Sequence, residues 1–526
     1  MRSLEADVVV IGGGSTGVGV VRDAAMRGYR AVLLERADLG QGTTARFHGL
    51  LHSGGRYVVS DPQSATECAE ENAILRRIQA DAVEDTGGFF VVTPGDDPEF
   101  ADKFLAGAAT TGVPAQEISI TETLRREPLV NPGIMRSIEV QDGSVDGWQL
   151  VWGAARSAEA YGAKVLTYHW VTGIERDGDR VTAVVARDVK GGQDVRIECN
   201  FVLNCAGPWA GQVASLAGLH DVNVVAGRGI MVAMNHRLVN SVINRCVYPT
   251  DGDILVPVHT VSIIGTTDVK EDDPDVLPIP RDEVQQMLDA GEKLVPTFRQ
   301  ARALHAWSGA RPLIKDDRVA ASDTRHMSRG MAVLDHAARD GLNGMLTIGG
   351  GKLTTYRLMA EHIVDAMCEQ LGDTDRKCRT ADEAVPGSES RKLYQVTHRL
   401  EETEKNRLAD PVICECELLS RSALVKVMKE QPDATLDDIR RQTRLGMGPC
   451  QGGFCSTRAA GIACAEKVVD HERATGLLRL FLKNRWIGLW PILAGDQVRQ
   501  TALDHWIISG TLDVDHLPRP EKEVVL

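Results

Sequence analysis

The stretch that decides the fold is DVVVIGGGSTGVGVVRDAAMRGYRAVLLE, residues 7–35. It reads as a buried strand, a glycine turn, a helix and a second strand, the start of a β-α-β unit. Gly12 permits the tight turn, Gly14 lets a pyrophosphate approach the backbone, and Gly17 lets helix and strand pack closely. Glu35 follows about 20 residues on, where a carboxylate accepts hydrogen bonds from a ribose. The sequence therefore predicts a dinucleotide site, which NAD and FAD would fit equally well.

Length and composition describe a globular chain of several units. A chain of 526 residues has room for about three domains, and its 43% hydrophobic and 25% charged residues are ordinary for a globular protein. The net charge of -14, without a dense Lys/Arg tract, argues against a nucleic-acid partner. The N-terminus lacks a secretory pattern, and no stretch reaches the ~20 apolar residues that span a bilayer. We therefore expect a cytoplasmic protein whose membrane association is peripheral.

The order of the predicted elements divides the chain into four parts. Short β-branched runs broken by turn residues over 165–205 predict a β-meander, and a polar, charged composition predicts a linker before the C-terminal region. The expected parts are an α/β oxidoreductase domain (1–375), the linker (376–408), a small helical domain with four Cys (409–465) and a C-terminal extension (466–526). Within the first part, dinucleotide-binding segments at about 1–60, 150–215 and 340–375 alternate with a mixed-sheet substrate domain.

Three motifs carry a resemblance that selects the cofactor. IGGGSTGVGVVRDAAMRG (11–28) resembles the N-terminal signature of FAD-dependent glycerol-3-phosphate dehydrogenases, although Val21 stands where that family usually has Ala. GGKLTTYRLMA (350–360) matches the second signature of that family, and NCAGPWA (204–210) resembles the FAD-contacting segment of the D-amino-acid-oxidase-like superfamily. The resemblance spans nearly the whole chain and implies a Rossmann-like FAD-binding domain of that superfamily. The FAD contacts it implies are Gly12, Gly13, Gly14, Thr16, Gly17, Glu35, Arg36, Thr43, Thr44, Val171, Ala206, Gly207, Trp209, Gly350, Gly351, Leu353 and Thr354.

Cationic residues next to these motifs favour an anionic substrate. Guanidinium forks suit a phosphate dianion, and the sequence offers Arg56, Arg311 and Arg325 together with Lys352. In the resembled family the matching positions, and that of Tyr57, contact glycerol 3-phosphate. A surface salt bridge is the alternative role for each cation, most of all for Arg325.

Oxidation of an alcohol requires a base for the hydroxyl proton while a hydride leaves the same carbon for the flavin, and histidine titrates in the right range. In the loop GTTARFHGLLHSGGRY (42–57), His52 occupies the place of a family histidine proposed for this role. His48 is the competing candidate, and a purely structural role for either histidine stays open. Arg311 is also expected to stabilise the developing alkoxide.

Four of the 11 Cys are grouped as C-x-C and C-x4-C pairs, separated by 33 residues. Close pairs of thiolates suit a metal or an iron–sulfur cluster. Zinc and four plain thiols remain alternatives, although zinc usually takes wider C-x2–4-C pairs. The segment resembles a bacterioferritin-associated-ferredoxin domain, which implies a [2Fe–2S] cluster. Its expected ligands are Cys414, Cys416, Cys450 and Cys455.

The resemblance, with its extra Cys domain, points to the anaerobic type of this family and to its catalytic chain. It implies oxidation of sn-glycerol 3-phosphate to dihydroxyacetone phosphate, with electrons passing through companion subunits to membrane quinone, and a peripheral place on the inner face of the membrane. An amine or 2-hydroxyacid oxidase of the same superfamily is the second hypothesis. A non-catalytic electron-transfer protein is the third, and the joint presence of Arg56, Arg311, Lys352 and His52 argues against it.

Overall fold

The protein is seen in a computed structural model that describes residues 2–314, 330–388, 396–406 and 409–519. The glycine motif lies between the strand Val8–Ile11 and the helix Ser15–Met26. Val8 and Val10 face one apolar core of the central sheet, and the two alternate residues face another. A strand buried on both faces reads as a continuous apolar run, which is why VVVI predicts it. In spatial order the strands of this sheet are Lys164–Leu166, Ala31–Leu34, Val8–Ile11, Phe201–Asn204, Met345–Gly350 and Met331–Asp335, all parallel except the last.

Two layers cover the central sheet. On one side lie the helices Ser15–Met26, Gly147–Ala160 and Tyr356–Leu371, whose apolar residues fill the first core. On the other side lies the predicted β-meander, which the N-terminal strand joins at its edge. In spatial order the strands of this second layer are Arg2–Glu5, Asp194–Glu198, Arg180–Asp188 and His169–Asp177.

A nine-stranded mixed sheet forms the predicted substrate-side domain. Its strand Ala303–Ile314 pairs antiparallel with Val224–Met234 along almost its entire length. The other eight strands, Val224–Met234 included, lie in the order Val269–Glu271, Val224–Met234, Val261–Gly265, Ile254–Val258, Val242–Arg245, Gly88–Val92, Arg136–Val140 and Ala115–Ile118. The helices of this region are Pro62–Ile78, Phe100–Thr111, Ile120–Arg126 and Arg281–Leu294. Smaller elements are the three-stranded sheet of Leu50–Leu51, Gly143–Val145 and Val83–Glu84 and the helices Ala210–Ser215 and His336–Asp340.

The C-terminal region is helical around a two-stranded hairpin. Leu477 and Phe481 pack into the same core as Cys414 and Cys455, so the predicted Cys domain and C-terminal extension share one interior. Among the described helices, none is both long enough and apolar enough to cross a bilayer. The strands are Val412–Cys414 and Leu419–Ser420, and the helices are Val396–Asn406, Arg421–Glu430, Leu436–Thr443, Cys455–Ala465, His471–Leu489 and Asp496–His505.

The first part of the predicted linker lies against the oxidoreductase domain. The backbone amide of Val385 donates to the carbonyl of Ile78 at 2.8 Å. The Arg379 guanidinium donates to the carbonyl of Met26 at 3.0 Å. Residues 376–388 therefore extend the surface of that domain before the chain reaches the helix Val396–Asn406.

Buried ion pairs join the predicted Cys domain (409–465) to the oxidoreductase domain. Arg441 binds Asp38 at 2.7 Å, and Arg444 binds both Asp146 at 2.7 Å and Glu417 at 2.8 Å. Burial alone would raise the pKa of Glu417, but the Arg444 guanidinium overrides that effect and lowers it to about 2. Loss of Arg444 would remove the ion-pair partner of Asp146 and the strongest charge partner of Glu417, which would keep His259 at 2.8 Å and Arg399 at 3.8 Å.

The strand Ala303–Ile314 also contacts the C-terminal helical region. Just before this strand, Arg302 donates to the carbonyl of Pro449 at 3.3 Å, next to the second Cys pair. The ring of His305 lies so close to Gly488 that a Cβ at that glycine would overlap it. The strand is therefore the member of the substrate-side sheet that lies against the C-terminal helical region.

We expect Arg444→Ala to lower the free energy of unfolding by about 3–5 kcal/mol, because it leaves Glu417 and Asp146 buried without their arginine. The control Arg499→Ala removes an arginine that is 86% exposed beside Asp496 and should change stability by less than about 0.5 kcal/mol. Thermal or urea unfolding measures both. Because the pKa of Glu417 is lowered on folding, its contribution is fully present above its unfolded value and is lost as pH falls towards 2. Equal midpoints for the two variants at neutral pH would contradict the role of Arg444.

Candidate active site

The glycine turn brings strand, helix and neighbouring loop into contact. Gly12 has φ +112°, a conformation that favours glycine, and a Cβ there would lie 2.6 Å from the carbonyl oxygen of Cys205. A Cβ on Gly17 would overlap the carbonyl oxygen of Gly12. The first helix can therefore begin directly above the central strand, with the N–H groups of its first turn facing the space beyond Gly14.

A cavity of about 680 Å³ opens at this helix terminus and is lined by segments from all three sequence motifs. This volume is in the range of small-molecule and cofactor sites. The residues predicted to contact the cofactor that line it are Gly12, Gly14, Thr16, Glu35, Arg36, Thr43, Thr44, Val171, Ala206, Gly207, Trp209, Gly350, Gly351 and Leu353.

Three predicted cofactor residues lie behind the cavity wall and support it. Gly13 donates its backbone N–H to the Glu35 carboxylate at 2.7 Å. Gly17 makes the close helix contact described above. Thr354 is fully buried, and its hydroxyl accepts a hydrogen bond from the backbone amide of His52 at 3.1 Å. These three residues therefore support the wall of the cavity rather than line it.

The carboxylate of Glu35 is already partly satisfied by backbone. Besides Gly13, the amide of Ala37 donates to it at 2.9 Å. Burial raises the pKa of Glu35, and these backbone hydrogen bonds oppose that rise. Arg36 pairs with Asp275 at 2.8 Å and lies 4.2 Å above the ring of Trp209. The adenosine end of the predicted site is thus held in place before any ligand arrives.

The opposite part of the same cavity is cationic. Arg56, Tyr57, Lys352 and Arg311 line it, whereas the predicted Arg325 lies outside the described residues. The Lys352 ammonium lies 4.6 Å from the centre of the Tyr57 ring. Arg56 and Arg311 come from distant parts of the chain, and the fold brings them to one wall.

Each guanidinium is held by a buried carboxylate. Arg56 binds Asp253 at 2.6 Å, and Arg311 binds Asp268 at 2.9 Å. Burial would lower the pKa of Arg56, but the charge of Asp253 raises it, so this arginine stays protonated. The carboxylates fix the direction of the two forks, and Lys352, bonded to the hydroxyl of Ser64 at 2.7 Å, adds a further positive charge.

The backbone of His52 is held from several sides. Besides the bond to Thr354, the Asn72 amide donates to the carbonyl of His52 at 3.0 Å, and the next amide, of Ser53, donates to Asp142 at 2.8 Å. The His52 ring lies 5.4 Å from the Tyr57 ring. Its position is therefore defined by side chains on three different elements.

Sequence reasoning missed the residues that orient the site. Asn72, Asp142, Asp253 and Asp268 lie in no motif, and single polar residues in helices or loops carry no signal of their role. Their partners lie far away in the sequence, 43 residues between Asp268 and Arg311 and 197 residues between Arg56 and Asp253. Only the folded chain brings the partners of each pair together.

The four predicted ligand Cys lie side by side. Cys455 is within hydrogen-bonding reach of Cys414 and Cys450, and Cys450 is within reach of Cys416. Backbone N–H groups point at the sulfurs, those of Glu417 and Gly446 at Cys414 and those of residues 452 and 454 at Cys450. No group of three or more His, Cys, Asp or Glu in the described ranges could hold a single metal ion. A [2Fe–2S] cluster makes a different demand, since each iron takes only two of the four thiolates.

The sequence signatures and the cavity agree with the comparison to known proteins. A family model described as "DAO: FAD dependent oxidoreductase" matches residues 7–357. The chain belongs to this FAD dependent oxidoreductase family. This flavoprotein is similar to an anaerobic glycerol-3-phosphate dehydrogenase subunit of Escherichia coli (strain K12), with 40% identity over 529 residues and 97% of each chain covered. It is equally similar to an anaerobic glycerol-3-phosphate dehydrogenase subunit of Haloferax volcanii, 40% over 539 residues, covering 97% of this chain and 91% of that protein.

Solved structures confirm the predicted α/β fold class of this FAD dependent oxidoreductase. The glycerol-3-phosphate dehydrogenase of Bacillus halodurans, complexed with FAD, has a TM-score of 0.55 at 20% identity, covering 97% of this chain and 90% of that one. The L-proline dehydrogenase of P. horikoshii has a TM-score of 0.58 at 18% identity, covering 76% of this chain and 99% of that one. The choice of FAD over NAD, which the glycine motif alone left open, is confirmed by the family.

We expect Gly17→Ala to abolish FAD retention, because the added methyl group separates the helix from the turn that its N–H groups must face. The control Gly461→Ala lies on an exposed helix position where a Cβ meets nothing, and it should retain FAD and gain slight stability. Flavin absorbance per protein after gel filtration measures the effect. Full flavin content in Gly17→Ala would show that the close contact is not needed for the site.

Proposed function

We propose that the protein oxidises sn-glycerol 3-phosphate to dihydroxyacetone phosphate with FAD, and passes the electrons through companion subunits to membrane quinone. The observation that carries this proposal is the cationic wall of Arg56, Arg311 and Lys352 in the same cavity as the dinucleotide motif. The phosphate group of a phosphorylated alcohol would bind at that wall, and the carbon to be oxidised would lie within the cofactor cavity. The names of the relatives support the same substrate.

The cavity fits FAD on structural grounds. The helix terminus beyond Gly14 offers N–H groups to a pyrophosphate, and Glu35 borders the expected ribose position. Gly350 and Gly351 line the cavity with positive φ, and a Cβ there would overlap the Gly330 carbonyl oxygen and the Met359 sulfur, so this part of the wall requires glycine. When bound, the isoalloxazine supplies the acceptor for the hydride that leaves C2 of the substrate.

The protein's own residues would bind the substrate and handle its proton. Arg56 and Lys352 hold the phosphate, since both are cations fixed by partners in the protein. His52 accepts the proton of the C2 hydroxyl, and Arg311 stabilises the negative charge that develops on the same oxygen.

We also propose that Cys414, Cys416, Cys450 and Cys455 hold a [2Fe–2S] cluster. The adjacent thiols and the backbone N–H groups aimed at them support this, because hydrogen bonds to sulfur stabilise the thiolate charge of such centres. The cluster supplies a one-electron carrier at this end of the molecule.

Companion subunits and a peripheral place at the inner membrane face are further parts of the proposal. The relatives are named as subunits, which supports an assembly. Large aromatic side chains on the C-terminal helices support a docking surface there, since Trp490 is 66% and Trp506 68% exposed. Phe454, which precedes Cys455 in the chain, is also exposed.

An amine or 2-hydroxyacid oxidase is the second candidate, because a glycine oxidase and an L-proline dehydrogenase share the fold. Glycine and proline each carry a single carboxylate, whereas three cations at one wall favour a dianion. Substrate comparison separates the two hypotheses.

The first test is an anaerobic flavin-bleaching assay of purified, FAD-replete protein. We expect glycerol 3-phosphate to bleach the flavin, while glycine, sarcosine and 2-hydroxyglutarate do not. His52→Asn should slow bleaching by about 10²–10⁴-fold, the usual contribution of a general base. The control His516→Asn changes a histidine that is 81% exposed and should bleach at the wild-type rate. A flavin that stays oxidised with glycerol 3-phosphate but bleaches with an amine or hydroxyacid would overturn the substrate assignment.

The cysteine centre is tested separately. We expect Cys455→Ser to lose iron and the visible absorbance of the cluster. It should retain FAD, because Cys455 packs in the core of the C-terminal region and does not line the flavin cavity. The control Cys464→Ser changes a half-buried thiol on the same helix, outside the four, and should keep both cofactors. Iron and sulfide analysis decides; undiminished iron in Cys455→Ser would contradict the ligand assignment.

A further inference from the structure

His48 lines the cavity but has no part in the proton transfer assigned above. Its ring lies 6.3 Å from that of His52, edge to face. The positive charges of Arg56 and Arg311 both act on it. It is therefore a second imidazole at the cationic wall, with a chemistry still to be assigned.

The hydrogen bonding of His48 fixes its tautomer. Its Nδ1 accepts a hydrogen bond from the backbone amide of Leu50 at 3.2 Å. A neutral imidazole has one nitrogen with a lone pair and one with a proton, so the proton lies on Nε2. With its lone pair used by the backbone, His48 has no acceptor left for a substrate proton.

The surroundings of His48 keep it neutral. Burial, followed by the charges of Arg56 and Arg311, lowers the pKa of His48 to about 3. Protonation would add a fourth positive charge to a wall that already holds Arg56, Arg311 and Lys352. Near neutral pH the residue therefore presents an uncharged N–H.

We propose that His48 is a specificity-determining residue that donates its Nε2–H to an oxygen of the substrate's phosphate group, alongside Arg56 and Lys352. This inference rests on the proposed function, because it takes the phosphorylated alcohol as the ligand. A neutral donor adds a directed hydrogen bond to an anion without the repulsion of another cation. A carboxylate has fewer oxygens to offer, so the extra donor favours a phosphate over a carboxylate.

The experiment compares His48→Leu, which removes the donor, with His48→Gln, whose side-chain amide retains one at a similar distance from the backbone. Calorimetric titration of FAD-replete protein with glycerol 3-phosphate and with inorganic phosphate gives the dissociation constants. Steady-state kinetics gives kcat and KM over pH. We expect His48→Leu to bind both anions about 10- to 100-fold more weakly, the usual effect of losing a hydrogen bond to a charged group, with most of the loss of kcat/KM in KM. His48→Gln should recover most of the affinity.

Two outcomes would overturn the proposal. Unchanged affinity for inorganic phosphate in His48→Leu, with FAD content and thermal midpoint preserved, would place the donor elsewhere. Loss of the acidic limb of the kcat profile would make His48 the base instead. Failure of the substrate assignment is seen independently, as wild-type protein that binds inorganic phosphate but does not bleach with glycerol 3-phosphate. If His48→Leu does not fold, the affinity of His48→Gln decides, since loss of binding in that donor-retaining variant would contradict the role.

Discussion

The close contact between the helix Ser15–Met26 and the strand below it is the constraint on which the rest of the site depends. Because Gly17 has no side chain, the helix begins directly against the carbonyl of Gly12, and the N–H groups of its first turn open into the cavity. That placement in turn sets where the loop carrying Thr43 and Thr44 can lie, since the Thr44 hydroxyl accepts a hydrogen bond from the amide of Ser15 at 2.9 Å. The same loop continues to both histidines. One missing methyl group thus determines the relation between the cofactor site and the substrate wall.

The charge arrangement explains how an acidic protein can bind an anion. The chain carries a net charge of -14, yet the carboxylates near the site face the backs of the arginines. Asp253 holds the Arg56 guanidinium, whereas Asp268, the Thr266 hydroxyl and the Thr267 carbonyl hold that of Arg311, so both groups line the cavity in a fixed direction. Burial makes each pair stronger than it would be in water. The local field is therefore independent of the overall charge.

Local patterns in the sequence predicted the central strand, the glycine turn and the meander because their signals are local. The run VVVI, the glycine spacing and the turn residues of the meander each specify backbone shape within a few residues. The supporting residues could not be predicted in this way, because Asn72 and Asp142 acquire their roles only through partners far along the chain. The boundary of the linker was equally hidden, since polar composition does not show that Val385 is hydrogen-bonded to Ile78. The role of His48 depends on a single backbone hydrogen bond that no sequence pattern encodes.

The strand Ala303–Ile314 has a consequence for how the chain can vary. Arg302, just before the strand, adjoins Pro449. The third residue of the strand, His305, lies against Gly488, and Arg311 lies near its other end. A pleated strand cannot shift by one residue without turning every side chain to the opposite face. An insertion or deletion within the strand would therefore disturb its contact with the C-terminal region and turn the Arg311 guanidinium away at the same time. The C-terminal region is thus an integral part of the scaffold that positions the cationic wall.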